Sequence, residues 1–122
     1  MTPEKAILLV DDENNLSITL AQIIKRAGYQ VTLANSAEYA SQCLDSQEFN
    51  LMLLDLSLPD MDGLTLLPTV HARFHEMPII ILTAVVTADT KKEAIENGAS
   101  NYLLKPIDPI DLLSAIRTAL GD

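Results

Sequence analysis

The stretch LMLLDLSLPDMDG, from Leu51 to Gly63, constrains the fold more than any other part of the chain. Its four consecutive apolar residues, without polar alternation, predict a strand buried on both faces, as found inside a parallel sheet. Asp55 follows at the carboxyl end of that strand. In open α/β sheets this edge faces a crevice between loops, where ligands and chemistry collect. A carboxylate there is costly to hold unless another group offsets its charge. The Pro, Asp and Gly residues from Pro59 to Gly63 occupy turn positions and stop the strand, so Asp55 is presented at its end.

The same pattern occurs at the start of the chain. Ala6 to Val10 is all apolar and runs into Asp11, Asp12 and Glu13. From Asn14, the residues Leu16, Leu20, Ile23, Ile24 and Ala27 recur at helical spacing, with Gly28 suited to the C-terminal cap. Tyr29 to Ala34 reads as a strand, and Ser36 as the cap of a helix reaching about Ser46. Leu51 to Asp55 is then the third strand. After Gly63 a third helix is expected toward Phe74, with a kink or a late start at Pro68, which lacks a helical donor. Pro78 to Leu82 is the fourth strand, ending in Thr83. Lys91 to Asn97 predicts a thinly striped fourth helix, anchored by Ala94 and Ile95 and closed by Gly98. Asn101 to Leu104 is the fifth strand. Asp108, Pro109 and Asp111 stand at the cap, first and third positions of a last helix that buries Leu112, Leu113, Ile116 and Leu120. Five strands alternating with five helices predict an α/β fold in three α/β/α layers, a parallel sheet covered on both faces.

The chain has 122 residues, one domain's worth (1–122), and a domain of this size buries roughly two thirds of its unfolded surface. A net charge of −9 argues against direct nucleic-acid binding, which relies on Lys and Arg. It suits a cation or a basic partner. The first apolar run is five residues long, too short for a signal peptide or a membrane span, so a cytoplasmic location away from membranes is expected. Cys43, the only cysteine, falls beside Ala40 and Leu44 at helical spacing and reads as a core residue. His71 and His75 are four apart but lack a third metal ligand, and read as a solvated helix end.

In a parallel sheet all strand carboxyl ends share one edge, so Asp11, Asp12, Asp55, Thr83 and Lys105 are expected to converge there. Clustered carboxylates repel one another unless a cation is present. Hard oxygen ligands with room for water and phosphate oxygens suit Mg²⁺. A carboxylate nucleophile, a metal and a lysine together form a site for accepting a phosphoryl group, with Thr83 able to hydrogen-bond the bound oxygens.

VDDE at 10–13, DLSLPDMDG at 55–63, TA at 83–84 and GASNYLLKP at 98–106 resemble the receiver domain of two-component response regulators. The resemblance covers nearly the whole chain. It implies the flavodoxin-like, CheY-like strand order 2-1-3-4-5. It also implies Asp55 as phosphoacceptor, with Asp11, Asp12, Asp55 and the main-chain carbonyl of Ser57 around Mg²⁺. By the same resemblance Thr83 is the switch hydroxyl, Lys105 the phosphoryl-binding lysine, Tyr102 the switch aromatic, and Pro106 follows a cis peptide bond. Ala84 leaves the site open to the donor. The implied donor is a sensor histidine kinase or a phosphotransfer protein. The implied output surface is the face of the fourth helix, fifth strand and last helix, used for phosphorylation-dependent homodimerisation or for an output partner. Such a domain is not an enzyme beyond its own phosphorylation and dephosphorylation. Ser57 and Val85 offer no carboxylate or amide to orient an attacking water, so slow self-dephosphorylation is expected.

Three other classes fit less well. The four glycines, at 28, 63, 98 and 121, give neither GxGxxG nor a Walker A loop, against a nucleotide- or flavin-binding module. A hydrolase using an aspartyl-phosphate intermediate would need a cap insertion, for which 122 residues leave no room. An adaptor without phosphorylation would lack part of the acidic set. Each residue also has a plainer reading, Asp12 as a cap of the first helix and Tyr102 as a half-buried aromatic. The combination of the acids with Lys105 outweighs them.

Overall fold

The five apolar runs form one parallel sheet in a computed structural model that describes residues 4–84 and 87–122. Its strands are β1 (Ala6–Val10), β2 (Gln30–Ala34), β3 (Leu51–Asp55), β4 (Ile79–Thr83) and β5 (Asn101–Leu104), ordered β2-β1-β3-β4-β5. The helices are α1 (Asn14–Arg26), α2 (Ala37–Ser46), α3 (Gly63–Arg73), α4 (Ala88–Glu96) and α5 (Pro109–Leu120). Successive strand residues point to opposite faces, and each face has its own core. Leu8, Val10, Met52, Leu54, Ile79 and Ile81 pack with residues of α2, α3 and α4, including Ala40, Leu67 and Ala94. Ile7, Leu9, Leu51, Leu53, Ile80 and Leu82 pack with Leu20 and Ile24 of α1 and Leu112 and Ile116 of α5. Two covered faces account for the lack of polar alternation in the three central strands.

Helix ends follow local side-chain chemistry. Ser36 Oγ accepts from Tyr39 N at 3.1 Å, Asp62 Oδ1 from Leu64 N at 2.9 Å, and Asp108 Oδ1 from Ile110 N at 2.8 Å. Each satisfies a donor that the first helical turn leaves unpaired. At the far end of the chain, Asp122 accepts from Lys5 Nζ at 2.6 Å and from Tyr29 Oη at 2.8 Å, which ties the end of α5 to the starts of β1 and β2.

The structure corrects several expectations. Helix α3 does not start late: it begins at Gly63 and runs through Pro68. Pro68 lies on the solvent side, where the carbonyl left without a donor can meet water, while Leu66, Leu67 and Val70 hold the opposite side to the core. Helix α4 begins a turn before Lys91, because Thr87 and Thr90 form a reciprocal capping box. Ala94 is its buried anchor, whereas Ile95 is 45% exposed and belongs to the surface. Asp12 does not cap α1, whose N-cap is Glu13 without a side-chain bond. His71 is half-buried and not part of a solvated end. A Cβ at Gly98, whose φ is +112°, would approach the His71 ring to 2.3 Å, so glycine is required there both for its backbone and for space. Leu113 and Leu120 are half-buried. Val85, expected to govern water access, lies outside the described residues.

Candidate functional site

Three backbone bonds extend the parallel ladder one residue beyond the strands. Asp11 N donates to Ala34 O at 3.0 Å, Leu56 N to Leu82 O at 3.3 Å, and Lys105 N to Thr83 O at 2.7 Å. The loops carrying the acids and the lysine are therefore pinned to the sheet before they diverge. They open at the β1/β3 boundary, where strand order reverses and an open α/β sheet has its crevice.

One carboxylate oxygen from each of Asp11, Asp12 and Asp55 lies within 4.8 Å of the others. Asp11 and Asp55 are buried, and Asp12 is exposed at the mouth. Lys105 Nζ donates to Asp11 Oδ2 at 3.0 Å and to Asp55 Oδ2 at 3.2 Å, with Glu13 Oε2 further off at 3.8 Å. Asp55 Oδ1 accepts from Ser57 N at 3.1 Å. Each Asp55 oxygen thus accepts a hydrogen bond, and the carboxylate plane is held. Burial raises the Asp55 pKa, as does the negative charge of Asp11. The Ser57 N–H and Lys105 oppose the rise without cancelling it. Burial pushes Lys105 down, but the bonds and charges of Asp11 and Asp55 outweigh it, so its pKa is raised.

Thr83 ends β4, one residue beyond the Asp55↔Leu82 register, and is buried. With Leu56, Ser57, Asp62 and Thr90 it lines an open cleft of about 490 Å³. Ser57 itself is exposed, as is Ala84. Tyr102 is buried on edge strand β5, and its hydroxyl lies 3.3 Å from Thr90 Oγ1 in the first turn of α4. The Lys105–Pro106 peptide bond is cis.

Two residues of the loop that follows Asp55 make tertiary contacts although the sequence marks them only as turn formers. A Cβ at Gly63 would come within 2.6 Å of Asp55 O and 2.7 Å of Leu56 Cα, so α3 can start against the end of β3 only with glycine there. Asp60, in the same loop, accepts from Ala37 N and Glu38 N at 2.9 Å each. Composition marked both as turn residues, and their tertiary contacts left no local signal.

The donor set fits a small hard cation. Of the three clustered carboxylates only Asp11 and Asp55 are bonded by Lys105, so one lysine faces three acids and does not balance their charge, and all the offered ligands are oxygens. Among the described residues no helix is long and apolar enough to cross a membrane.

A family model, the response regulator receiver domain, matches residues 7–117. The transcriptional regulatory protein ZraR of Escherichia coli (strain K12) is 36% identical over 115 residues, covering 94% of this chain and 26% of that protein. The alginate biosynthesis transcriptional regulatory protein AlgB of Pseudomonas putida (strain KT2440) is 41% identical over 106 residues, 87% of this chain and 24% of that protein. The chain thus spans about a quarter of the length of these curated relatives. The crystal structure of a CheY-like response regulator receiver domain protein from Methanospirillum hungatei JF-1 superposes with a TM-score of 0.93 at 34% identity, covering 98% of this chain and 95% of that one. With the strand order and the acid cluster already in place, the match along nearly its whole length is decisive, and the chain belongs to the response regulator receiver domain family of two-component signalling.

Proposed function

We propose that residues 1–122 act as one cytoplasmic receiver unit in which Asp55 accepts a phosphoryl group from the phosphohistidine of a sensor histidine kinase or phosphotransfer protein. The observation that carries this reading is the buried Asp55 carboxylate, held between Lys105 Nζ and Ser57 N beside Asp11 and Asp12. A carboxylate oxygen of Asp55 attacks phosphorus. The P–N bond of the donor breaks, its electron pair leaves with the imidazole, and an acyl phosphate remains on Asp55. Asp11, Asp12, Asp55 and the Ser57 carbonyl would hold Mg²⁺. When bound, the metal offsets the charge of the acids and of the transferring phosphoryl oxygens.

The chain's own groups do the rest. Ser57 N and Lys105 fix the direction of the nucleophile, and Lys105 stays close enough to meet the incoming negative charge. Thr83, in the adjoining cleft, can hydrogen-bond a phosphoryl oxygen. Its displacement would alter the packing around Tyr102 and bias a two-state equilibrium at the α4–β5–α5 face, where an output partner or a second copy would bind. The domain would thus catalyse only its own phosphorylation and dephosphorylation, slowly in the latter because Ser57 presents no acid or amide to water.

The test is incubation with acetyl phosphate and Mg²⁺, borohydride trapping and intact-mass spectrometry. One label, absent from Asp55→Asn and from the metal-free sample, is expected. Equal labelling of Asp55→Asn would sink the assignment, and continuous turnover of a phosphomonoester would make the protein a hydrolase.

A further inference from the structure

The loop from Ser57 to Asp62 is fixed at two levels. At its base Ser57 and Asp62 form an antiparallel bridge, and Gly63 N donates to Leu56 O at 2.8 Å. At its tip the Asp60 carboxylate reaches α2, one oxygen to Ala37 N and the other to Glu38 N, each at 2.9 Å. These are the first two residues of α2, so the carboxylate faces the positive end of that helix. The two N–H groups hold the Asp60 carboxyl below the usual carboxylate range, which keeps it ionised in this clamp. Helix α2 already has its own cap in Ser36, whose Oγ serves Tyr39 N. The Asp60 contact therefore does more than cap the helix: it is the loop's only side-chain bond to α2 among the described residues.

We infer that Asp60 is a positioning residue for the metal-binding loop, acting through Ser57. This rests on the reading of Ser57 as a carbonyl ligand and of Asp55 as phosphoacceptor. Two residues, Leu58 and Pro59, separate Asp60 from Ser57. The Ser57 N–H is fixed to Asp55 Oδ1, while its carbonyl belongs to the next peptide, on the side of the loop that leads to Asp60. Releasing the tip leaves the loop held only at its base, so the Ser57 carbonyl samples more directions and must be reordered when a cation binds. That cost falls on metal affinity and not on the phosphoryl step once metal is bound. Residues that orient metal ligands from outside the ligand set commonly change affinity by about tenfold or more.

The experiment measures Mg²⁺ binding by titration calorimetry, melting temperature without metal, and the Mg²⁺ dependence of acetyl phosphate labelling, for the unaltered chain, Asp60→Ala and Asp60→Asn. Asp60 is exposed and Ser36 still caps α2, so both variants should fold. Asp60→Ala should bind Mg²⁺ about tenfold more weakly. It should need correspondingly more Mg²⁺ for half-maximal labelling and still reach the same rate at saturation. Asp60→Asn keeps one acceptor and should fall between the two. Asp60→Ala with unaltered Mg²⁺ affinity and only a lower melting temperature would overturn the inference and leave Asp60 a helix clamp. Asp60→Asn as weak as Asp60→Ala would overturn it in favour of a pure charge effect. If the unaltered chain neither binds Mg²⁺ nor is labelled at Asp55, the functional reading fails first, and this inference with it.

Discussion

Lys105 Nζ stands 3.2 Å from Asp55 Oδ2 while bonding Asp11 Oδ2 more closely, at 3.0 Å, so one ammonium is divided between two buried carboxylates. That sharing leaves the site short of positive charge. It is why burial and Asp11 together still raise the Asp55 pKa despite the lysine.

Opposite substitutions at this pair should therefore change stability in opposite directions. Because the folded-state pKa of Asp55 is raised, its favourable share is present below the ordinary carboxylate range and is lost as pH rises through the folded value. At neutral pH, without metal, Asp55 is a cost. Asp55→Asn should then raise the metal-free melting temperature by a few degrees, roughly 1 kcal/mol, with the advantage shrinking toward pH 4. Lys105→Met removes the cation from both buried acids and should lower stability by roughly 1–3 kcal/mol. Melts from pH 4 to 8 without metal decide it. A destabilised Asp55→Asn at neutral pH would show that the site is not short of positive charge.

Gly63 offers a purely steric test. A methyl group there meets backbone atoms of Asp55 and Leu56 at 2.6 and 2.7 Å, and neither can swing away as a side-chain tip would. Gly63→Ala should cost roughly 2–3 kcal/mol as the end of β3 and the start of α3 move apart. Because the displaced peptide carries Asp55, labelling by acetyl phosphate should slow by roughly ten- to a hundredfold even where the variant remains folded. Denaturant melts and initial labelling rates at saturating Mg²⁺ measure the two effects. A folded variant labelled at the unaltered rate would mean that the loop absorbs the methyl without moving Asp55.

The sheet was legible because its signals are local. Each central strand is apolar on both faces and stops at a polar residue, so Val10, Leu54 and Leu82 mark where Asp11, Asp55 and Thr83 emerge. Parallel topology then puts Asp11, Asp55 and Lys105 together without any knowledge of distances. What was not legible depends on contacts remote in sequence or on hydroxyls with no hydrophobic signature. Thr87 and Thr90 start α4 a turn early through their own hydrogen bonds, in a stretch that has almost no apolar stripe. Asp60 looks like a turn residue until its partners, 22 and 23 positions away, are known. Ile95 is adjacent to Ala94, about 100° round the helix from it, and the placement of α4 on the sheet decides which of the two faces inward.

The exposed position of Ile95 bears on the surface that would report phosphorylation. Edge strand β5 leaves Leu104 53% exposed and helix α4 leaves Ile95 45% exposed, while Tyr102 between Asn101 and Leu103 is buried. Ser100 and Asn101, just before that tyrosine, carry no charge, and Asn101 Oδ1 is used locally by Tyr102 N at 2.8 Å. No charge therefore stands on the chain just before Tyr102, whereas apolar area beside it is available for burial at roughly 25 cal/mol per Å². Salt screens exposed charge pairs and does not weaken apolar burial. Self-association of the beryllofluoride-bound or phosphorylated chain should accordingly persist at high salt and weaken by about tenfold or more in Leu104→Ser, with Tyr102→Ala also impaired through loss of the packing beneath. Analytical ultracentrifugation at low and high salt reads this directly. Dimers that vanish at high salt and survive both substitutions would instead place the contact on charged groups elsewhere on the face.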